Sequence, residues 1–153
     1  MSRTLKLTDG VDAAIRAHGR EAYPHECCGA LLGSEGGDGV RAVVALHEAD
    51  NRREAGAAPR RFLITAEDYR TIERAARERS LDVLGFYHSH PDHPARPSDY
   101  DREHAFPWYS YVIVAVLDGV AGETTSWILD DDRVSFQEES VVTHAATRDA
   151  NQR

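Results

Sequence analysis

The residues of this chain best suited to do chemistry run Gly85-Phe-Tyr-His88-Ser-His90-Pro91 and resume at Ser98-Asp-Tyr-Asp101. Asp82 to His88 reads as a strand, and residues i and i+2 of a strand share a face, so His88 and His90 at its end project the same way. Ser98 opens a short helix, and Asp101 in its first turn can return as an oxygen donor. Two imidazoles and a carboxylate suit a divalent metal and leave a fourth tetrahedral position for water, the form of a catalytic zinc site. Zinc held there would lower the pKa of its water to roughly 7. Each half also has a plainer explanation. A histidine pair at a strand end is often polar surface or hydrogen-bonded core. Ser98 to Asp101 is also a good helix start, with Ser at N-cap and Asp at N3. Together, across a loop rich in proline, the two halves are hard to attribute to chance.

These groups need a scaffold, and the rest of the chain supplies its pattern. Thr4 to Leu7 reads as a strand. Thr8 or Asp9 caps a helix with Val11, Ala14, Ile15 and His18 on one stripe and Gly19 as its stop. Tyr23-Pro24 predicts extended backbone leading into a buried strand from Cys27 to Leu32. A glycine-rich turn, Ser34 to Gly39, then joins it to Val40 to Leu46 as a hairpin. Asp50 to Pro59 reads as a loop and Phe62 to Ile64 as a short strand. Thr65 with Asp68 approaches a capping box for a helix with Tyr69, Ile72 and Ala76 inside. Tyr109 to Leu117, Thr124 to Leu129 and Val134 to Gln137 read as strands joined by Asp-Gly and Asp-Asp-Asp turns. Residues 1–139 are expected to form one domain and 140–153 a flexible C-terminal tail. Strands and helices are interspersed and hairpins come late, which predicts an α/β or α+β domain with a mixed sheet.

The spacing His88-x-His90, seven residues, Ser98, two residues, Asp101 resembles the signature of the JAMM (MPN+) metallopeptidase family. That signature includes a glutamate on a separate upstream strand, and Pro24-His-Glu26-Cys-Cys-Gly29-Ala-Leu-Leu-Gly33 looks like that segment. The resemblance runs from about Tyr23 to Leu117 and points to the small prokaryotic single-domain members. It implies the cytidine-deaminase-like JAMM/MPN fold, a curved mixed β-sheet flanked by helices. It implies His88, His90 and Asp101 as ligands of one Zn2+ per chain, Glu26 as general base and Ser98 as donor to the oxyanion. The implied reaction is hydrolysis of a peptide or isopeptide bond after the Gly-Gly C-terminus of a ubiquitin-like or sulfur-carrier protein. Such a tail would dock by strand addition, helped by the Arg52 to Pro59 loop. Glu26 is also a reasonable base on its own grounds, since it precedes an apolar strand where burial can tune a carboxylate; without the metal motif it reads as a solvated charge.

Two other readings compete. His88-x-His90-x-Asp92-His93 matches the H-x-H-x-D-H run of metallo-β-lactamase-fold hydrolases. That fold needs a longer chain and further ligands, whereas only His104 and His144 follow His93, and it leaves Glu26, Ser98 and Asp101 unexplained. Asp92 and His93 then become rim residues, with His93 within reach of substrate. A non-catalytic MPN interaction module with a structural metal would need four protein ligands, and three stand out.

Composition narrows the class without naming an activity. A length of 153 residues suits one domain and excludes a TIM barrel or a repeat array. Acidic residues number 26 against 18 basic, for a net charge of -8, which argues against duplex nucleic acid and anionic membranes as partners. Lys6 is the only lysine. The adjacent Cys27 and Cys28 are no disulfide framework; they read as small core residues, with a redox or metal role as the rarer alternative. No secretory leader or membrane-length apolar run is apparent, so a cytoplasmic location is expected. Trp108, Tyr109 and Tyr111 suit a substrate groove or, more commonly, the core. Arg52, Arg53, Arg60 and Arg61 suit an acidic partner or a solvated surface.

Overall fold

The apolar runs of the sequence become the inner strands of a mixed sheet that closes on itself. The computed structural model describes residues 3–49 and 64–145. Along the chain they form β1 (Thr4–Thr8), α1 (Asp9–Ala22), β2 (Cys28–Glu35), β3 (Arg41–Ala49), α2 (Ala66–Glu78), β4 (Asp82–Pro91), α3 (Asp99–His104), β5 (Ser110–Leu117), β6 (Val120–Leu129) and β7 (Phe136–His144). The strand order is β1-β3-β2-β4-β5-β6-β7, and β7 returns to pair with β1. The loop expected at Asp50 to Pro59, the strand at Phe62 to Ile64 (apart from Ile64 itself) and the arginines at 52, 53, 60 and 61 lie outside the described residues.

β4 sits at the centre, antiparallel to β2 and parallel to β5. Covered on both faces, it is buried continuously from Leu84 to Pro91. Its side chains alternate, Tyr87 packing into one apolar cluster and Phe86 into another. The first cluster takes Val11 and Ile15 of α1 with Leu5, Leu7, Leu31, Val43 and Val114. The second takes Ile72 and Ala76 of α2 with Ala30, Leu32, Ala45 and Leu129. Each of the larger aliphatic side chains buried there contributes about 1.5–3 kcal/mol before its entropic cost. His88 and His90 therefore share the face of Phe86. Gly85 is required where β4 meets β5, because a Cβ there would lie 1.9 Å from the Ser110 carbonyl oxygen.

Two sequence expectations are corrected. Gly19 does not stop α1, which continues to Ala22 from its Thr8 cap; the missing side chain lets the helix approach Ser89, Val114 and Val116. The tail does not begin at Ser140. Ser140 to His144 continue β7 and pair in parallel with Thr4 to Thr8, closing the barrel. Local pattern could not reveal this, because the partner strand lies at the opposite end of the chain. The Asp-Gly turn expected between β5 and β6 does form, with Asp118 at φ 53° and Gly119 at φ 80°, as a two-residue type I′ hairpin turn requires. No helix among the described residues is long and apolar enough to cross a membrane.

Candidate active site

The end of β4 and the start of α3 bring three donor atoms together. His88 Nε2 lies 3.1 Å from His90 Nε2, and Asp101 Oδ2 lies 3.3 Å from the first and 3.1 Å from the second. Donors about 2.0–2.1 Å from one tetrahedral ion stand about 3.3 Å apart, so this set fits a zinc-sized cation. The surrounding contacts orient each donor. His90 Nδ1 lies 2.8 Å from the Pro94 carbonyl, which can only accept, so Nδ1 carries the proton and Nε2 turns its lone pair to the cluster. Asp101 occupies N3 of α3, where Oδ2 also accepts the Ser98 N–H at 2.9 Å while Ser98 Oγ accepts the Asp101 N–H at 3.1 Å. The capping box thus aims the carboxylate.

Electrostatics favour the ligand forms. Burial lowers the His88 pKa, with Asp101 pulling the other way. For Asp101 burial pushes upward, but His88 and His90 outweigh it and hold the carboxyl well below the usual carboxylate range. All three groups are buried.

Glu26 reaches the site through the β2–β4 ladder. Cys28 pairs with His88 and Gly29 with Tyr87. Continued outward, the same antiparallel register sets Cys27 beside Ser89. The extension is real: Cys27 N–H donates to Ser89 Oγ at 2.9 Å, and Ser89 N–H to the Cys27 carbonyl at 3.2 Å. The β2–β4 ladder itself ends at the Cys28–His88 pair, and Glu26 lies two residues before β2. The residue is half-buried, with Oε1 withdrawn from solvent.

Other candidates are placed elsewhere. Asp92 is turned to Tyr23 and Asp118 rather than to the histidine pair, and His93 is exposed. The cluster of possible metal-binding side chains among the described residues is His88, His90 and Asp101, without Asp92 or His93. Beside it opens a cavity of about 260 Å³ whose wall includes His88, Asp101, Phe86, Phe106, Tyr111 and Phe136. Of the aromatic groove candidates only Tyr111 lines it. Trp108 lies over the buried Arg41 guanidinium at 4.0 Å, and Tyr109 packs edge-on to Tyr69 and Phe86. Both cysteines are buried, and burial pushes the Cys27 thiol up to about 11 against an opposing hydrogen bond from Ser89, so it is a core thiol rather than a nucleophile. Sequence reasoning missed the Pro94 carbonyl and the Ser89 hydroxyl; neither carries a signal, since both act through contacts made by the folded chain.

A closed mixed barrel with a His-x-His pair on its central strand and an aspartate on the next helix defines the JAB/MPN class of protein. Residues 8–130 match the family described as prokaryotic homologs of the JAB domain, and the chain belongs to that family. It is 36% identical over 118 residues to a desampylase of Haloferax volcanii, covering 73% of this chain and 81% of that protein. It is 28% identical over 130 residues to the CysO-cysteine peptidase of Mycobacterium tuberculosis, covering 84% and 85% respectively. A solution structure from Salinibacter ruber, 51% identical, superposes with a TM-score of 0.72 over 90% of each chain.

Proposed function

We propose that the protein is a zinc-dependent metallopeptidase that hydrolyses the peptide or isopeptide bond after the Gly-Gly C-terminus of a ubiquitin-like or sulfur-carrier protein. The observation that carries this reading is the convergence of His88 Nε2, His90 Nε2 and Asp101 Oδ2 within 3.1 to 3.3 Å of one another. The names desampylase and CysO-cysteine peptidase borne by its relatives support the reaction class and the kind of partner. One Zn2+ bound by these donors supplies Lewis acidity and an acidified water near neutral pH. Glu26 takes the proton of the attacking water and delivers it to the leaving amine. Ser98 accepts the Asp101 N–H on its oxygen and so keeps its own hydrogen to donate to the developing oxyanion. β1 pairs with β3 only as far as Val43, so among the described residues Ala45 to Ala49 have ladder partners on the β2 side alone. That open side is a candidate edge for an extended tail. The catalytic domain extends to His144, and the protein works in the cytoplasm.

The test is a fusion of a Gly-Gly-ended carrier to a reporter peptide, assayed beside the zinc content of wild type and Glu26→Gln. Wild type should carry one zinc and cut after the second glycine. Glu26→Gln should keep its zinc and lose about a hundredfold or more in rate. A zinc-loaded wild type that leaves the fusion intact would overturn the peptidase reading, and full activity in Glu26→Gln would remove Glu26 as base.

A further inference from the structure

Asp92 stands two residues beyond His90, in a run that also resembles a metal-ligand motif, yet its carboxylate is engaged elsewhere. It accepts the Tyr23 hydroxyl at 2.9 and 2.8 Å on its two oxygens and the Asp118 N–H at 2.8 Å. Its own N–H donates to the Val116 carbonyl at 2.8 Å. A single residue thereby ties the α1–β2 connection, the end of β4 and the β5–β6 hairpin. Its φ of 59° lies in the left-handed region that aspartate enters more readily than most residues. Tyr23 is a firm anchor for this tie, because its ring packs against the α1-side core.

Glu26 lies between two such ties. Three residues before it, Tyr23 is bound to Asp92. One residue after it, Cys27 exchanges two hydrogen bonds with Ser89. Ser89 lies on β4 beside His90 and Asp92 directly follows its end, so both ends of the segment carrying Glu26 are referenced to the strand that carries the histidines. The inner tie is buried and the outer one exposed. Between the two ties, His25 N–H donates to the Ala22 carbonyl at 2.8 Å.

We propose that Asp92 is a positioning residue which, through Tyr23, holds the Glu26 carboxylate in place beside His88, His90 and Asp101. The inference rests on the reading of Glu26 as general base. A base must stay within hydrogen-bond reach of its proton, and a misplacement of about 1 Å can cost about a hundredfold in rate. Asp92 belongs neither to the group of possible metal donors nor to the cavity wall, so its loss should spare metal and substrate binding.

Three variants separate positioning from general support. Tyr23→Phe removes only the hydroxyl. Asp92→Gly removes the carboxylate where glycine tolerates the backbone, and Asp92→Asn keeps an acceptor. Zinc content, kcat and KM on the Gly-Gly fusion are measured, together with amide hydrogen exchange at His25 to Cys27 in zinc-free protein. Tyr23→Phe and Asp92→Gly should each lower kcat about tenfold, with KM within about twofold and zinc unchanged. The double variant should be no worse than Asp92→Gly, and Asp92→Asn should retain most activity. Exchange at His25 and Glu26 should accelerate in the first two variants and not in Asp92→Asn. Wild-type kcat in Tyr23→Phe, additive losses in the double variant, or kcat loss accompanied by zinc loss would each overturn the proposal. If the wild type itself leaves the fusion intact, the peptidase reading fails instead, and unchanged amide exchange in Tyr23→Phe and Asp92→Gly would still overturn the tie.

Discussion

Cys28 on β2 stands directly opposite His88 on β4. That pair is the outermost of the β2–β4 ladder. Glu26 lies two residues before Cys28, and His90 two residues beyond His88. A slip of one residue in this ladder would reverse the faces on which His88 and His90 lie relative to β2.

The donor cluster predicts the behaviour of a metal site. Asp101→Asn should weaken zinc binding by about a hundredfold or more, since the change removes the anionic donor. α3 should persist, because asparagine can still accept the Ser98 N–H. Chelator competition with a zinc indicator gives the affinity, and circular dichroism follows the fold.

Arg41 is fully buried away from the proposed site. Its guanidinium donates to the Leu84 carbonyl at 3.3 Å, to Ser110 Oγ at 3.0 Å and to the Trp108 carbonyl. Arg41→Ala leaves these acceptors unsatisfied and opens a cavity, so it should cost about 3 kcal/mol or more in urea unfolding. Protein that remains folded should bind zinc as wild type does.

Gly85 and Gly10 should respond oppositely to alanine. At Gly85 the new methyl would meet backbone at 1.9 Å, so β4 and β5 must separate; a loss of at least about 3 kcal/mol is expected. Gly10 is exposed in the first turn of α1, where the nearest atom to an added Cβ is 4.0 Å away. There alanine should stabilise by up to about 1 kcal/mol. Thermal midpoints of the two variants decide the point.

Stability should fall on the alkaline side. Burial, the largest influence on Cys27, raises its thiol from 9.0 to about 11 in the folded protein. The folded state therefore keeps a proton that the unfolded chain releases. The resulting stability is fully present below about pH 9 and is lost as pH rises toward about 11. Tyr111, raised by burial to about 12, adds a similar effect at higher pH. Urea midpoints measured across this range should decline, and Cys27→Ala should flatten the decline between pH 9 and pH 11.

Much of the site was legible because it is local. His88 and His90 share a face through the two-residue period of a strand, and Ser98 with Asp101 form a capping box by their three-residue offset. The Thr65–Asp68 box and the Asp118-Gly119 turn were readable for the same reason, since the residues that make each contact are neighbours in the chain. Gly19 misled because a glycine signals a helix stop and a close packing contact equally well, and the neighbours that need the space, Val114 and Val116, lie far along the chain.

The sequence by itself determined which groups are present, which element carries each, and the pattern that marks them as metal donors. Only the tertiary structure decided how those elements meet. Strand register set Cys28, two residues after Glu26, opposite His88, and parallel pairing of β7 with β1 drew Ser140 to His144 into the barrel. The Tyr23 contact assigned Asp92 to a tie rather than to the cluster of donors. Each of these relationships joins residues separated by tens of positions or more. They depend on ladder hydrogen bonds and burial shared across the whole sheet, and no local spacing encodes them.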